Sequence, residues 1–242
     1  MTPPPEASQL VLAAAIAGLG ATVQGSVGFG MALLSAPLLT LIDRRLVPGP
    51  LMVAALALTL MVAWRDRRSV DVRGVKWALI GRVPGTVAGA LTLSLLPLHT
   101  LTLVFGGVVV LAVLMLACGV PLSPRVPTLL GAGLLSGFMG TTSAIGGPPV
   151  AMVYQHEKGR AVRGTLAGYF VFGACMSIAA LAIVGRFGLR ELGWALWLLP
   201  GVLVGFAVSA RVTRWLDAGR TRQAVLVVAA VSGVIVFVKQ LL

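Results

Sequence analysis

Two long apolar stretches, each interrupted by glycine, proline and small hydroxyl residues, constrain this chain more than any other feature. The first, Leu10–Ile42, contains Gln24-Gly25-Ser26-Val27-Gly28-Phe29-Gly30 and then Pro37. The second, Thr128–Gln155, contains Gly137-Phe138-Met139-Gly140-Thr141-Thr142-Ser143 and then Gly146-Gly147-Pro148-Pro149. A shift of 112 residues lays Gly25 on Gly137, Gly28 on Gly140 and Pro37 on Pro149. Matching broken segments in the two halves of a membrane chain are the best sequence pointer to a transporter's binding site.

The bilayer is the solvent this composition asks for. Hydrophobic residues are 58% of the chain and charged residues 11%, against about 25% charged in soluble domains. No segment between the apolar stretches is large enough for a soluble domain, so residues 1–242 read as one transmembrane domain. Cys118 and Cys175 lie inside apolar segments and read as buried structural thiols, not as a disulfide or metal pair. Met1-Thr2-Pro3-Pro4-Pro5-Glu6 lacks the basic start of a cleavable signal, so the first apolar segment is expected to be retained. The net charge of +12 is spread over inter-helix loops and not along one face, which argues against a nucleic-acid partner.

Full spans are expected at 47–64, 75–96, 100–119, 164–185, 191–211 and 222–241, each near the ~20 residues needed to cross. Leu10–Ile42 has 33 residues. As one helix it would be about 50 Å long, against a core of about 30 Å. A helical hairpin turning near 23–27 fits it best, and the second stretch makes another turning near 139–143. If each stretch crossed once, the two sides would hold nine loop Lys/Arg each. If each is a hairpin returning to its starting side, they hold five and thirteen. Only the hairpins satisfy the positive-inside rule, with both termini outside and the 65–76 loop in the cytoplasm.

Each half then has an odd number of crossings, and the halves are inverted repeats, about 8–119 and 127–241. Arg45 and Gly49 fall on Arg160 and Gly164 at an offset of 115, and Pro84-Gly85 with Gly89 falls on Pro200-Gly201 with Gly205 at 116. The expected fold class is therefore an all-α integral membrane protein, each repeat a broken hairpin plus three transmembrane helices, about eight hydrophobic segments in all.

Broken helices at bilayer depth are tolerated where they are buried or line a wet cavity. Their free N–H groups and positive dipole ends suit an anion. The candidate substrate-binding residues are Gln24, Gly25, Ser26, Gly28, Gly30, Gly140, Thr141, Thr142, Ser143, Gly146, Gly147 and Pro148. Close helix packing alone explains isolated glycines such as Gly18 and Gly133. It does not require prolines and polar breaks in both halves. Arg82 is the one charge well inside a span, about seven residues from the cytoplasmic edge. It reads either as a cation that attracts substrate or as a side chain that snorkels to the interface. Asp43, His156 and Glu157 follow the hairpins and are candidates for coupling protons, with interface solvation as their plainer role. No catalytic motif or metal cluster appears, and no cofactor is expected.

At Gly25-Ser26-Val27-Gly28-Phe29-Gly30 with Pro37, and Gly137-Phe138-Met139-Gly140 with Gly146-Gly147-Pro148-Pro149, the sequence resembles the sulfite exporter TauE/SafE family of bacterial inner-membrane permeases. The likeness extends over essentially the whole chain. It implies a multi-pass protein of the cytoplasmic membrane that exports sulfite, sulfoacetate or related sulfonates. No carboxylate adjoins either motif core, which argues against simple proton antiport.

The expectation is a secondary transporter of a small sulfur-containing or organic anion, with hairpin tips meeting near the midplane. Its partners are that anion, the lipid bilayer and a coupling ion such as the proton, with room for a homo-oligomer. The rivals are a passive anion channel and a non-transporting membrane scaffold subunit.

Overall fold

The computed structural model describes residues 6–67, 70–118, 122–155, 157 and 159–213. The helices among them are α1 (Ala7–Val27), α2 (Met31–Ile42), α3 (Gly49–Asp66), α4 (Val72–Leu95), α5 (Leu98–Cys118), α6 (Val126–Ser143), α7 (Gly147–Val153), α8 (Arg160–Ile183) and α9 (Leu189–Val212). No strand occurs among the described residues, and α1, α3, α4, α5, α8 and α9 are long and apolar enough to cross a membrane. The expected spans from 47–64 to 191–211 correspond to α3, α4, α5, α8 and α9. The expected span 222–241 and the coupling candidate His156 lie outside the described residues.

Both hairpins exist, but their arms are unequal and their turns fall later than expected. α1 has 21 residues and α2 only 12; α6 has 18 and α7 only 7. At 1.5 Å per residue α1 covers about 31 Å and crosses alone, whereas α2 covers about 18 Å. The chain leaves helix at residues 28–30, where Gly28 and Gly30 have φ of 106° and 115°, and again at 144–146, where Ala144 has φ 64°. Gln24-Gly25-Ser26 stays helical because packing supports it: the Ser26 hydroxyl donates to the Thr22 carbonyl at 2.7 Å and Gly25 sits against Ser209. Positive φ, which glycine adopts freely, sets the first break.

The breaks at 28–30 and 144–146 are 116 residues apart, not 112. The one-turn slip is easy to make because residues four apart share a helix face. At 116, contacts repeat as well as sequence. Gly85 packs on Leu134 as Gly201 packs on Gly18, and Gly89 lies against Phe138 as Gly205 takes a hydrogen bond from Thr22.

Helix directions follow from which ends meet. Asp66 of α3 meets Arg163 of α8, and Asp71 meets Thr165 and Tyr154, at one end of the bundle. Gly49 of α3 meets Phe187 and Glu191 at the other, where Arg44 bonds Thr102. Thus α1, α3, α5 and α9 run from the Arg44 end to the Asp66 end, while α4, α6 and α8 run back. The loops expected in the cytoplasm gather at the Asp66 end wherever they are described, as the hairpin arrangement requires.

Lipid chains cannot drive helices together hydrophobically, so close backbone approach does it instead. Along α1, Ala13, Ala17 and Ala21 are fully buried while Val11, Leu12 and Leu19 are more than half exposed, an inside-out pattern for a soluble protein. A Cβ on Gly85 would stand 2.0 Å from the Leu134 carbonyl oxygen, and one on Gly201 1.8 Å from that of Ala14. Gly85→Ala or Gly201→Ala is therefore expected to lower stability by about 1–3 kcal/mol, the range for overpacking. Thermal unfolding in detergent measures it; an unchanged midpoint would mean these helices part readily. Cys118 and Cys175 are exposed on the outer surface of the bundle, not buried: each helix turns its small residues inward and these thiols outward.

Candidate functional site

Because α1 and α6 overshoot the middle and the chain doubles back, the short arms α2 and α7 begin midway through the bundle. Gly30 and Gly147, at the starts of those arms, line one central cavity of about 60 Å³. Gln24, Arg82, Gly140 and Gly146 line it too, with Thr59, Phe29, Phe170 and Pro148 among the rest of the wall. No carboxylate among the described residues lines it.

Arg82 decides the character of this cavity. It lies ten residues into α4 and thirteen from its end, so about 15 Å along the axis, near mid-bilayer. It is 4% exposed and does not snorkel. Nη1 donates to Ser136 Oγ at 2.9 Å and to Tyr169 Oη at 3.1 Å, and Nη2 donates to Ser177 Oγ at 3.1 Å. The guanidinium also lies 5.3 Å from the Tyr169 ring centroid. Every one of these partners is neutral, so the positive charge is held in place without being cancelled. Among the described residues neither Nε–H nor the Thr86 hydroxyl one turn along the helix has a partner. A buried donor left unmade costs about 1–3 kcal/mol, and such a group is one a ligand can repay.

The fit depends on two small residues. A Cβ on Gly173 would meet Arg82 Cζ and Nε at 2.7 Å, and one on Gly140 would meet Nη2 at 2.8 Å. Gly173→Ala is expected to displace the guanidinium and weaken anion transport roughly ten-fold, the worth of one charge-assisted hydrogen bond. The check is the half-saturation concentration of flux, and an unchanged value would detach the guanidinium from the anion.

At the start of α2, Gln24 Oε1 accepts from Met31 N at 3.1 Å. The next N–H groups, of Ala32 and Leu33, are first-turn donors without intrahelical acceptors. α7 offers less, since Pro148 and Pro149 carry no N–H.

Several expected donors are turned elsewhere. Ser26, Thr142 and Ser143 donate to carbonyls four residues back in their own helices, at 2.7, 2.8 and 2.7 Å. Inside a membrane this is the cheapest way to satisfy a hydroxyl. Thr141 shares a hydrogen bond with Ser177 at 2.9 Å and so supports the Arg82 cradle from behind. Gly25 and Gly28 do not line the cavity, although their neighbours Gln24, Phe29 and Gly30 do, and they contact arginines toward the Asp66 end instead. There the Gly25 carbonyl accepts from Arg65 Nη2 at 2.5 Å and Gly28 abuts Arg163. Thr142→Val is accordingly expected to change flux by less than about two-fold, within the usual range for substitutions that break no special contact. A loss of transport would place its hydroxyl on the substrate path.

Sequence reasoning did not anticipate Ser136, Tyr169, Ser177 or Gly173. Tyr169, one of two tyrosines and deep in an apolar span, was the one available signal, because a buried phenol needs a partner.

The coupling candidates fare differently. Asp43 pairs with Arg45 at 2.6 Å and accepts from its backbone N–H at 2.8 Å, at the Arg44 end. Burial pushes the Asp43 carboxyl up, but the hydrogen bonds and charge of Arg45 outweigh this and hold it below its ordinary value. A depressed carboxylate contributes stability above its unfolded pKa and loses it as pH falls through the lower folded value, well into acid. Asp43→Asn should therefore leave the pH dependence of flux across the neutral range unchanged. Glu157 is exposed at the Asp66 end.

The family described as sulfite exporter TauE/SafE matches residues 12–236. Comparison with curated proteins and with solved structures returned no match.

Proposed function

Because the chain belongs to the sulfite exporter TauE/SafE family, we propose that it carries a small oxyanion, sulfite or a compact relative, as a secondary transporter using the cavity beside Arg82. Membership makes it a membrane transporter and not an enzyme. Its apolar helices make it multi-pass. The observation that carries the finer reading is Arg82: a positive charge near mid-bilayer, hydrogen-bonded to neutral partners and lining a cavity that both hairpin breaks help to wall. Intramembrane charges are functional sites by default.

Size narrows the substrate. A cavity of about 60 Å³ holds roughly four to six waters, each needing about 10–15 Å³ by the same measure. It suits sulfite stripped of its shell better than sulfoacetate, which carries an additional carboxymethyl group. Arg82 is the one charge among the described lining residues, so a single cation holds the anion and leaves it releasable. The bacterial inner membrane is the proposed location. The Asp66 end faces the cytoplasm in this proposal, supported by the basic loops there.

The proposed architecture is two inverted repeats. Opposite helix directions in the halves and the 116-residue contact register support it. Rocking of one half on the other would then expose the cavity to each side in turn. An apolar layer of Met52 and Leu93, packed with Leu181, lies toward the Arg44 end and favours a carrier over an open channel.

The test is flux of radiolabelled sulfite and sulfoacetate in liposomes holding the purified protein, with and without a pH gradient. Saturable sulfite flux with counter-transport is expected, faster than that of sulfoacetate. Linear, voltage-driven current would favour the channel, and no flux of either anion would overturn the substrate assignment.

A further inference from the structure

Beyond the apolar layer of Met52 and Leu93 lies a second, larger space of about 500 Å³ at the Arg44 end. Arg44 and Arg45 reach it from the segment before α3, Arg186 from the segment between α8 and α9 and Arg190 from the first turn of α9, so each half supplies two. We propose that this vestibule is a second oxyanion site, a station between solvent and the central cavity. The proposal rests on the transport reading and extends it.

Three observations support the assignment. First, under the proposed orientation this end faces outward, where short loops avoid Lys and Arg. Yet every Lys and Arg in the described loops of this end lines this one space. Charge placed against a general rule and gathered from two distant segments has a use. Second, the balance is cationic. Asp43 pairs with Arg45, and Glu191, the one carboxylate among the described residues lining the space, is engaged by the Gly188 N–H at 2.8 Å. Arg44 donates to the Thr102 hydroxyl, a neutral partner. Four guanidiniums against two carboxylates leave a surplus that concentrates anions at a concave mouth. Third, the chemistry is specific. Guanidinium forks match the paired oxygens of sulfite, sulfate or phosphate.

The vestibule and the central cavity meet at a thin partition. Met52 lines the cavity and Leu93 the vestibule, and the two share one apolar cluster with Leu181. The vestibule is therefore separated from the central cavity by one side-chain layer.

Trp194 lines the vestibule, with the Arg45 guanidinium 5.1 Å from its ring centroid, and provides a local reporter. The experiment titrates sulfite against purified Arg82→Gln protein in a neutral detergent, following tryptophan fluorescence, with Trp194→Phe to assign the signal. Disabling Arg82 first isolates the vestibule. Saturable change is expected to persist in Arg82→Gln, to vanish in the Trp194→Phe derivative, and to weaken at least five-fold in half-saturation when Arg186→Gln and Arg190→Gln are added. Because both arginines are exposed, their loss should leave the fold intact, which the unfolding midpoint verifies. No saturable signal in Arg82→Gln, or one indifferent to Arg186 and Arg190, would overturn the proposal. A signal given by phosphatidylglycerol but not by sulfite would overturn it too, since the arginines would then hold lipid phosphate. Wild-type flux in liposomes tests the central reading separately.

Discussion

Arg82→Gln is expected to abolish saturable sulfite flux, lowering it by about 100-fold or more while the protein remains folded. The charge-assisted contacts of one guanidinium with an oxyanion are worth about 1.5–3 kcal/mol each, and tenfold in affinity is about 1.4 kcal/mol. Glutamine removes the charge and ends near the position of Arg82 Nε, too short for the Nη contacts with Ser136 and Ser177. Arg82→Lys separates the two contributions. Lysine keeps the charge but lacks the planar fork, so partial flux with a raised half-saturation is expected. If Arg82→Gln transported normally, the central cavity would not be the substrate's seat.

The second large effect is expected at the Asp66 end. Asp66 is 5% exposed and sits 3.0 Å from Arg163 and 3.6 Å from Arg65. Arg65 in turn donates to the Gly25 carbonyl at 2.5 Å and to Ser209 at 3.3 Å, and lies 5.2 Å from the Phe206 ring. One carboxylate thus ties α3 to α8, and through Arg65 to the far end of the first hairpin. Removing one member of such a pair strands its partner, at a cost of about 3–5 kcal/mol. Asp66→Asn and Arg163→Gln should each lower the unfolding midpoint sharply, and the double variant should lose far less than the sum of the two. Additive losses would show that the pair does not act as a unit.

Much of the architecture was legible because the bilayer leaves so few alternatives. Five expected spans match helices to within a few residues, and counting loop cations chose hairpins over single crossings. What stayed hidden was nonlocal. Nothing in the spacing of Ser136, Tyr169 and Ser177 marks them as partners of Arg82; only the parallel packing of α4, α6 and α8 brings them together. The serines and threonines beside the breaks looked like ligands because their own-helix carbonyls are invisible in a residue list. Arg65 and Asp66 looked like ordinary loop charge, since burial at a helix end depends on what packs over it.

The repeat register has one conspicuous exception. At 116 residues, Arg82 corresponds to Leu198, fully buried and apolar. The frame is close to palindromic, but the hook that would seize the cargo hangs from only one half. A perfectly symmetric frame would open to either side with equal ease, its two states being mirror descriptions of one another. If the proposed rocking carries the anion, its two states differ in energy here, and one facing is expected to be the resting posture even before any ion gradient acts. Such a bias governs how long the empty carrier waits on each side, and so its rates in the two directions. It leaves the final distribution of the anion to the gradients alone.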